Sequence, residues 1–579
     1  MTENQRFAKG VTVMCFFAGD VNTSPGMIAQ LKAIKDAGFQ ENTTVLVRYD
    51  ANEVGTQPRI FEVNRERKRN RYEPATMIGD GRDPFVRSLE DDEVILSVPK
   101  SARKPTGKRQ LSQAGQALKD FLDHTLATTE RAGHYMLFLI GHGTVVGNDT
   151  FLPDDSAASA ITLRELGCIL RRFSADVKGD GDGKSRGSAF QLVGMHSCSL
   201  SAVEVAYELQ DTANYMMATE GASFVGSWPY RQLLKKVFNT VDRKGGTLTG
   251  KDVQRLLKKL HFLCLHNARD FQFAGFSADI CLCSLASDKV GEKLNGPIRN
   301  LTRALKEGLA AESEQTAERA RECILLAHWR AQSYWQDNYT DLSDFCRCLS
   351  EKCDGEDDWQ KNIREACRVV IEALTKKDES ARGLEAFKNL IVCSDHFGPT
   401  YQYSHGLSIY FPWSRPVEDT VEGAREARRL RDADRKADGG VYRPDTVLGR
   451  YAGYRFTQEL EEQEKDSSWL TFLEEYFDRT RRESREAEDG RRPVTAASRG
   501  GRRRGGAVAV GPGVPAVAVV VSNTAEELPE PPKPNPALGG VGSAGGCRCG
   551  SVKNYPTEFS ESPAASEAAE RKEERRLTR

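Results

Sequence analysis

The feature that most constrains this chain is the return, between residues 11 and 219, of short apolar runs separated by segments of helical periodicity. VTVMCFFA (11–18), TVLVRYD (44–50), YMLFLIG (135–141), AFQLVG (189–194) and NYMMAT (214–219) are of strand length and rich in β-branched or aromatic residues. A run that stays apolar on both alternating sides suits a strand covered on both faces, as in the parallel sheet of an α/β fold. The intervening segments are expected to be helices. Ser24-Pro25 opens one that runs to Gly38, with Ser as cap and Pro at the first helical position. Others are expected over about 111–127, 163–173 and 200–210. Residues 55–110 are polar and turn-rich and read as a hairpin or excursion. In such sheets ligands gather at the carboxyl ends of the strands.

Three regions follow. Residues 1–240 are expected to form an α/β core. Residues 241–480 are expected to form a mainly helical extension, from which a late strand, GLSIYFP (406–412), returns to the core before a last helix around 466–480. Residues 485–579 shift to Arg, Gly, Ala, Pro and Glu, a composition that cannot bury a core, and are expected to be disordered.

Composition excludes several functions. Lys plus Arg is 82 against 83 for Asp plus Glu, so net charge says nothing about a polyanionic partner. No stretch approaches the roughly 18 uninterrupted apolar residues of a membrane span, and the N-terminal segment lacks the apolar core of a secretory signal. Fourteen cysteines are spread thinly along the chain, which suits a reduced, cytoplasmic setting in which most are small buried side chains.

Two strand ends carry reactive residue types. FLIGHGTVVGND closes an apolar run with Gly141-His142-Gly143, and QLVGMHSCSLSAVEVAYEL closes another with Cys198. A cysteine peptidase needs a nucleophilic thiol, a proton-transferring base and donors for the oxyanion. If the two strands are parallel neighbours, His142 and Cys198 emerge on one edge. Gly141 and Gly143 permit a tight turn and close approach of substrate backbone. The N–H groups of Gly143 and Cys198 are the expected oxyanion donors. Cys198 is expected to open a helix, whose N-terminus would lower the thiol pKa. The bland alternative, a strand-capping histidine and a packed thiol, is left open by spacing alone.

The segment HSCSLSAVEVAYELQDTANYMMATEGASFVGSWPY resembles the clostripain family of cysteine peptidases, within the caspase-like clan. Cys198, Glu204, Val205, Ala206, Tyr207, Glu208, Leu209, Trp228, Pro229 and Tyr230 stand where that family's pattern puts them. His142-Gly143 matches its histidine motif, FFAGDVN (16–22) its first strand and GLSIYFP its late strand. The resemblance spans roughly residues 10–480. It implies a caspase-like, mainly parallel sheet flanked by helices, and a cysteine endopeptidase with Cys198 as nucleophile and His142 as catalytic histidine. Peptides or proteins are then the substrates, and no organic cofactor is required. The other reading is a catalytically silent scaffold on the same fold.

Two departures matter. Leu200 replaces the family's Met, and His196 stands where the family has an acidic residue that helps form a pocket for Arg or Lys. Imidazole cannot pair with guanidinium as a carboxylate does. Glu220, just past the next strand, is read either as the substitute for that charge or as a structural acid solvated at a strand end, and protonation of His196 toward acidic pH is expected to disfavour Arg further.

Weaker signals remain. ADVKGDGDGKSRGSAF (175–190) reads as a flexible loop. The resemblance makes Lys178, Lys184 and Arg186 candidate processing positions, against an uncut surface loop. Some family members use calcium, yet Asp180-Gly-Asp182-Gly and VDRKGGTLTGKDV (241–253) both lack the full calcium-loop pattern. Cys281, Cys283, Cys346, Cys348 and Cys353 lack zinc spacing and read as buried thiols, so no metal is assigned. His405 reads as structural. The GGRRRGG tract (500–506) could contact nucleic acid, although nearby acidic residues favour a solvated tail.

Overall fold

In the computed structural model, described for residues 9–18, 24–49, 59–63, 94–97, 111–144, 150–154, 159–179, 188–270, 277–334, 337–375, 383–416 and 447–478, the expected alternation is realised. Strand β1 (Lys9–Phe17) leads to α1 (Ser24–Asp36), then β2 (Thr43–Tyr49) and the short β3 (Arg59–Glu62) and β4 (Val94–Ser97). Next come α2 (Gln113–Thr128), β5 (Ala132–Ile140), the small antiparallel strands β6 (Gly143–Thr144), β7 (Thr150–Asp154) and β8 (Ser159–Ile161), α3 (Leu163–Lys178) and β9 (Phe190–His196). After α4 (Val203–Glu208) and β10 (Ala213–Ala218), α5 (Tyr230–Arg243) and α6 (Gly250–Asp270) precede β11 (Ala278–Ser284).

The central sheet has nine strands in the order β14-β11-β10-β9-β5-β1-β2-β3-β4, where β14 is Ile391–Phe397. The five strands from β10 to β2 are parallel, and two antiparallel strands extend the sheet at each side. Its two faces explain the unbroken apolar runs. Along β5, Tyr135, Leu137 and Leu139 join one hydrophobic cluster, while Met136, Phe138 and Ile140 join the other. Period-two alternation sends neighbouring side chains to opposite faces, and here both faces are covered by helices.

Local signals fix the helix ends. Thr162 caps α3 by accepting from the Glu165 N–H, while Glu165 reaches back to the Thr162 N–H. Gly179 ends that helix at φ 69°, a left-handed conformation that glycine adopts without a Cβ clash.

The division expected at residue 240 is not observed, since all described residues belong to one compact unit. Helices α5 and α6 pack onto a face of the central sheet, and β11 and β14 are strands of that sheet. The later helices α7 (Ser287–Leu309), α8 (Glu314–Arg330), α9 (Leu342–Lys352) and α10 (Asp358–Thr375) do form a helical layer. The late strand, observed as β15 (Ser408–Tyr410), pairs not with the central sheet but with β13 (Tyr339–Asp341) in a three-stranded sheet completed by β12 (Ser333–Tyr334). It reaches the core through one parallel bridge, Ala202 to Ser408. Among the described residues no helix is long and apolar enough to cross a membrane. The expectation for 485–579 lies outside the described residues.

Candidate active site

The site begins with the register of β5 and β9. They pair in parallel up to Ile140 opposite His196, and the Gly141 N–H still donates to the His196 carbonyl at 3.3 Å. Each chain then continues two residues, to His142 and to Cys198, so both leave the sheet at the same carboxyl edge. His142 is half-buried. A Cβ on Gly143 would lie 2.8 Å from Ser197 Cβ and 3.0 Å from the Cys198 carbonyl oxygen, so only glycine lets the histidine segment press against the cysteine turn. Leu200, in the position of the family's Met, fills the space beside it, 3.1 Å from the same Cβ.

The helix does not start at Cys198. Ser199 has φ 55°, and the chain from 199 to 201 runs along the end of β10: Ser199 N donates to Gly221 O, and Leu200 N and Ser201 N to Thr219 O. Helix α4 begins only at Val203 and spans six residues. The thiol therefore gets no helix-terminus activation. Its Sγ accepts from Ser223 N at 3.3 Å and donates to Ser223 O at 3.6 Å. Burial pushes the Cys198 thiol up, the Ser223 N–H opposes this, and the nearby Asp279 charge adds to the rise. The resting group is a thiol, so attack must be coupled to proton removal.

His196 does not present its ring to an open pocket. The imidazole is buried, stacked on Trp228 with ring centroids 5.0 Å apart at 8°. Its Nε2 lies 2.7 Å from Phe224 O and its Nδ1 3.1 Å from Tyr230 Oη. A neutral ring satisfies both contacts, donating to the carbonyl and accepting from the phenol. Burial lowers its pKa to about 4, against the opposing pull of the Phe224 carbonyl. The expected protonation above pH 5.5 is therefore corrected: the ring stays neutral there. Trp228 and Tyr230 hold this histidine in place.

Glu220 is also placed away from the expected role. Its carboxylate is buried and accepts from Gly406 N at 2.8 Å. Burial, together with the charges of Asp341 and Asp279, drives its pKa well above the carboxylate range. Sequence reasoning missed Asp279, the second residue of β11. Its Oδ2 accepts from Glu220 N at 2.5 Å and its Oδ1 from Gly221 N at 2.9 Å. It lines a small cavity with Thr219, Ala222, Ser223, Ser227 and Trp228, beside the Cys198 turn. Burial raises its pKa to about 6 despite those two N–H donors. The available signal was an acid at the head of an otherwise apolar run, SADICLCS, in a segment read as part of a helical extension.

The remaining family-pattern acids are ties to the distant chain. Glu204 Oε1 accepts from Tyr410 N at 3.0 Å and from Tyr451 Oη at 2.8 Å, and Glu208 accepts from Arg455 N. Behind the site, Asp341 accepts from His405 N at 2.5 Å, so His405 is held structurally. Lys178 closes α3, whereas Lys184, Arg186, Asp180 and Asp182 lie outside the described residues. In the other calcium candidate, Asp252 is taken up by Thr249 at the start of α6 and by Lys244 at 2.9 Å. Among the described residues no group of three or more His, Cys, Asp or Glu side chains is arranged to hold a metal.

Comparison with known proteins bears on this geometry. No curated protein matches the chain. Among solved structures, it is similar to an inactive zymogen C11 protease from Parabacteroides distasonis, at 17% identity over 73% of this chain and 96% of that one, with a TM-score of 0.40. It is also similar to a secreted C11 cysteine protease from Bacteroides thetaiotaomicron in complex with an irreversible peptide inhibitor, at 13% identity over 75% and 100%, with a TM-score of 0.42. The clostripain family model matches residues 29–381, more than half of the chain and both strand ends described above. On that match the chain belongs to the clostripain family and is a cysteine endopeptidase acting on peptides or proteins.

Proposed function

We propose that Cys198 is the nucleophile of this endopeptidase and His142 its general base and acid. The observation that carries the reading is the parallel register ending at Ile140 and His196, which brings both residues to one edge two positions later. In the mechanism, His142 takes the thiol proton as Sγ attacks the peptide carbonyl, which offsets the raised thiol pKa. The N–H groups of Gly143 and Cys198 are the proposed donors to the developing oxyanion. Collapse of the tetrahedral species expels the amine, protonated by His142, and a water activated by the neutral histidine then hydrolyses the thioester. Acyl transfer of this kind needs no organic cofactor.

The side chain preceding the scissile bond enters beside Ser223, and a preference for Arg or Lys rests on Asp279 in place of Glu220. Support comes from the hold of Asp279 on Glu220 N and Gly221 N, just before the Ser223 that contacts Cys198 Sγ, and from the engagement of Glu220 with Gly406. The cellular setting is reducing and cytoplasmic, a reading supported by the dispersal of the cysteines. The test is peptidase assay and active-site thiol labelling of Cys198→Ala and His142→Ala, with circular dichroism to report folding. Loss of turnover with a retained fold supports the assignment; a folded variant near wild-type activity overturns it.

A further inference from the structure

Charge is not evenly spread among the helices. Helices α8, α9 and α10 each carry as many Asp or Glu as Lys or Arg. Residues 230–259, which make α5 and the first part of α6, carry nine Lys or Arg against two Asp. Of those two acids, Asp252 is buried and shared by Lys244 at 2.9 Å and Arg255 at 3.7 Å. Asp242 is the exposed one.

Helical spacing sorts this charge to one side. Every Leu, Val and Phe between 230 and 260 is buried and packs with one face of the central sheet. Arg231 and Lys235 on α5 are four residues apart, as are Lys251 and Arg255 on α6, so each pair lies along one side of its helix. All four are exposed. Between 230 and 260 the outer face thus offers no aromatic ring to stack a base and no apolar wedge to enter lipid. What it presents to a partner is positive charge.

The helix pair is tied to the candidate active site at one end. Helix α5 starts at Tyr230, whose Oη lies 3.1 Å from His196 Nδ1. Helix α6 returns to the same place, where Asn267 Nδ2 donates to Gly226 O and Ser227 O at 3.0 and 2.9 Å. At the far end, the Leu248 carbonyl between the two helices lies 2.9 Å from His134 Nε2, near the start of β5. The basic rows therefore run from the carboxyl edge, where Cys198 sits, to the amino edge of the sheet. Helix α5 has 14 residues and covers about 21 Å, the reach of roughly six residues of extended chain.

We propose that the outer face of α5 and α6 is an exosite that holds an acidic stretch of the protein substrate while another part of the same polypeptide lies at the Cys198 edge. The proposal rests on the assignment of that edge as the active site. A polypeptide is favoured over other polyanions because the enzyme acts on peptides or proteins and the rows begin at residues that wall its site. Carboxylates meet the Lys and Arg heads in water, where each contact is weak and screened by salt, so the gain comes from several together. Substrate capture is strengthened and the chemical step is left alone.

The test compares one reporter peptide in two forms, carrying a tail of Asp and Glu or a tail of Ser and Gly. The tail stands about six residues from the cleaved bond, at either end of the peptide in turn. Wild type should cleave the acidic form with a kcat/KM about tenfold higher, through KM. That advantage should vanish as salt rises from about 0.05 to about 0.3 M. Lys235→Gln, Lys251→Gln and Arg255→Gln together should remove it and leave turnover of the neutral form unchanged. Fluorescence anisotropy of the acidic tail alone, on the full chain carrying Cys198→Ala, reads the face without turnover, and the same three substitutions should abolish that binding. Failure of the catalytic assignment would leave this arm intact. The proposal is overturned if wild type cleaves both forms equally or if the triple variant keeps the acidic preference. It is also overturned if duplex DNA or anionic lipid vesicles displace the tail at lower charge concentration than a second acidic peptide does.

Discussion

His196 and Asp279 both bear on the Cys198 turn, one through the chain itself and the other through Gly221, and burial acts on them with opposite sign. Removing a side chain from water disfavours its charged form. The histidine falls to about 4 and the aspartate rises to about 6. At neutral pH the residue in the family's acidic position is therefore an uncharged aromatic plate stacked on Trp228, and the charge near the turn belongs to a strand more than eighty residues later in the chain. On the proposed assignment, the pocket's charge has moved from the end of β9 to β11 while the edge bearing His142 and Cys198 stays put.

The largest expected effect defines the background for that comparison. Cys198→Ala and His142→Ala should each reduce turnover by at least about a thousandfold, on arginine-ending and neutral-ending peptides alike. Loss on only one peptide class would mean that the two strand ends read side chains instead of performing the reaction. Next, Asp279→Asn should lower the preference for Arg over a neutral residue by roughly ten- to a hundredfold, the scale of one charge-assisted contact. Glu220→Gln should change that ratio little. If the two variants exchange behaviours in a peptide-library profile, the charge sits on Glu220 after all.

Smaller effects concern pH. The Arg preference should rise as pH climbs through about 6 and Asp279 ionises, and kcat/KM for paired peptides between pH 5 and 8 measures it. Stability should show the two residues opposing each other. With its folded pKa lowered, His196 contributes stability above its unfolded value near 6.5 that is lost as pH falls toward 4. Asp279, with its folded pKa raised to about 6, contributes stability at low pH that is lost as pH rises from about 4 to 6. Each contributes on the order of 3 kcal/mol across its window. Urea denaturation at pH 4.5 and 7 should therefore show a steeper acid loss in Asp279→Asn than in wild type. An unchanged pH slope would show that Asp279 is already ionised in the folded chain at pH 4.5.

The smallest effect is expected from the segment before β9. Replacing Lys178, Lys184 and Arg186 together should slow any conversion of the chain to two fragments without altering the Arg-to-neutral ratio, since it leaves both His196 and Asp279 in place. Gel analysis of purified protein over time, with the ratio measured in parallel, checks both halves.

How much of this was legible in the sequence follows from where tertiary contacts overrode local pattern. The five parallel strands were readable because each is apolar on both faces. The edge bearing His142 and Cys198 was readable because glycine and polar residues end those runs abruptly. Strand β11 was not, since ADICLCS is a short continuous apolar run that periodicity cannot separate from a buried helix. Strand β14, IVCSDHF, has a largely exposed outer half that hides its place at the sheet edge. The helix was expected to begin at Cys198 because the amphipathic pattern after it is strong. Pairing of residues 199–201 with the end of β10 postpones that helix to Val203. Asp279 could not be assigned from spacing, because its meaning depends on a strand the pattern did not reveal.

The bridge between Ala202 and Ser408 sets an order in time. The Ser408 N–H donates to Ser201 O, and the buried Glu204 just beyond takes its partners from Tyr410 and Tyr451. A ribosome that has released the nucleophile has still to make two hundred further residues before these ties exist. A growing chain thus carries Cys198 on a loop whose acid Glu204 still lacks these partners, and we expect a peptide-based active-site probe to leave arrested chains ending before residue 400 unlabelled. On the proposed assignment, competence for turnover waits on residues made some two hundred positions after the nucleophile.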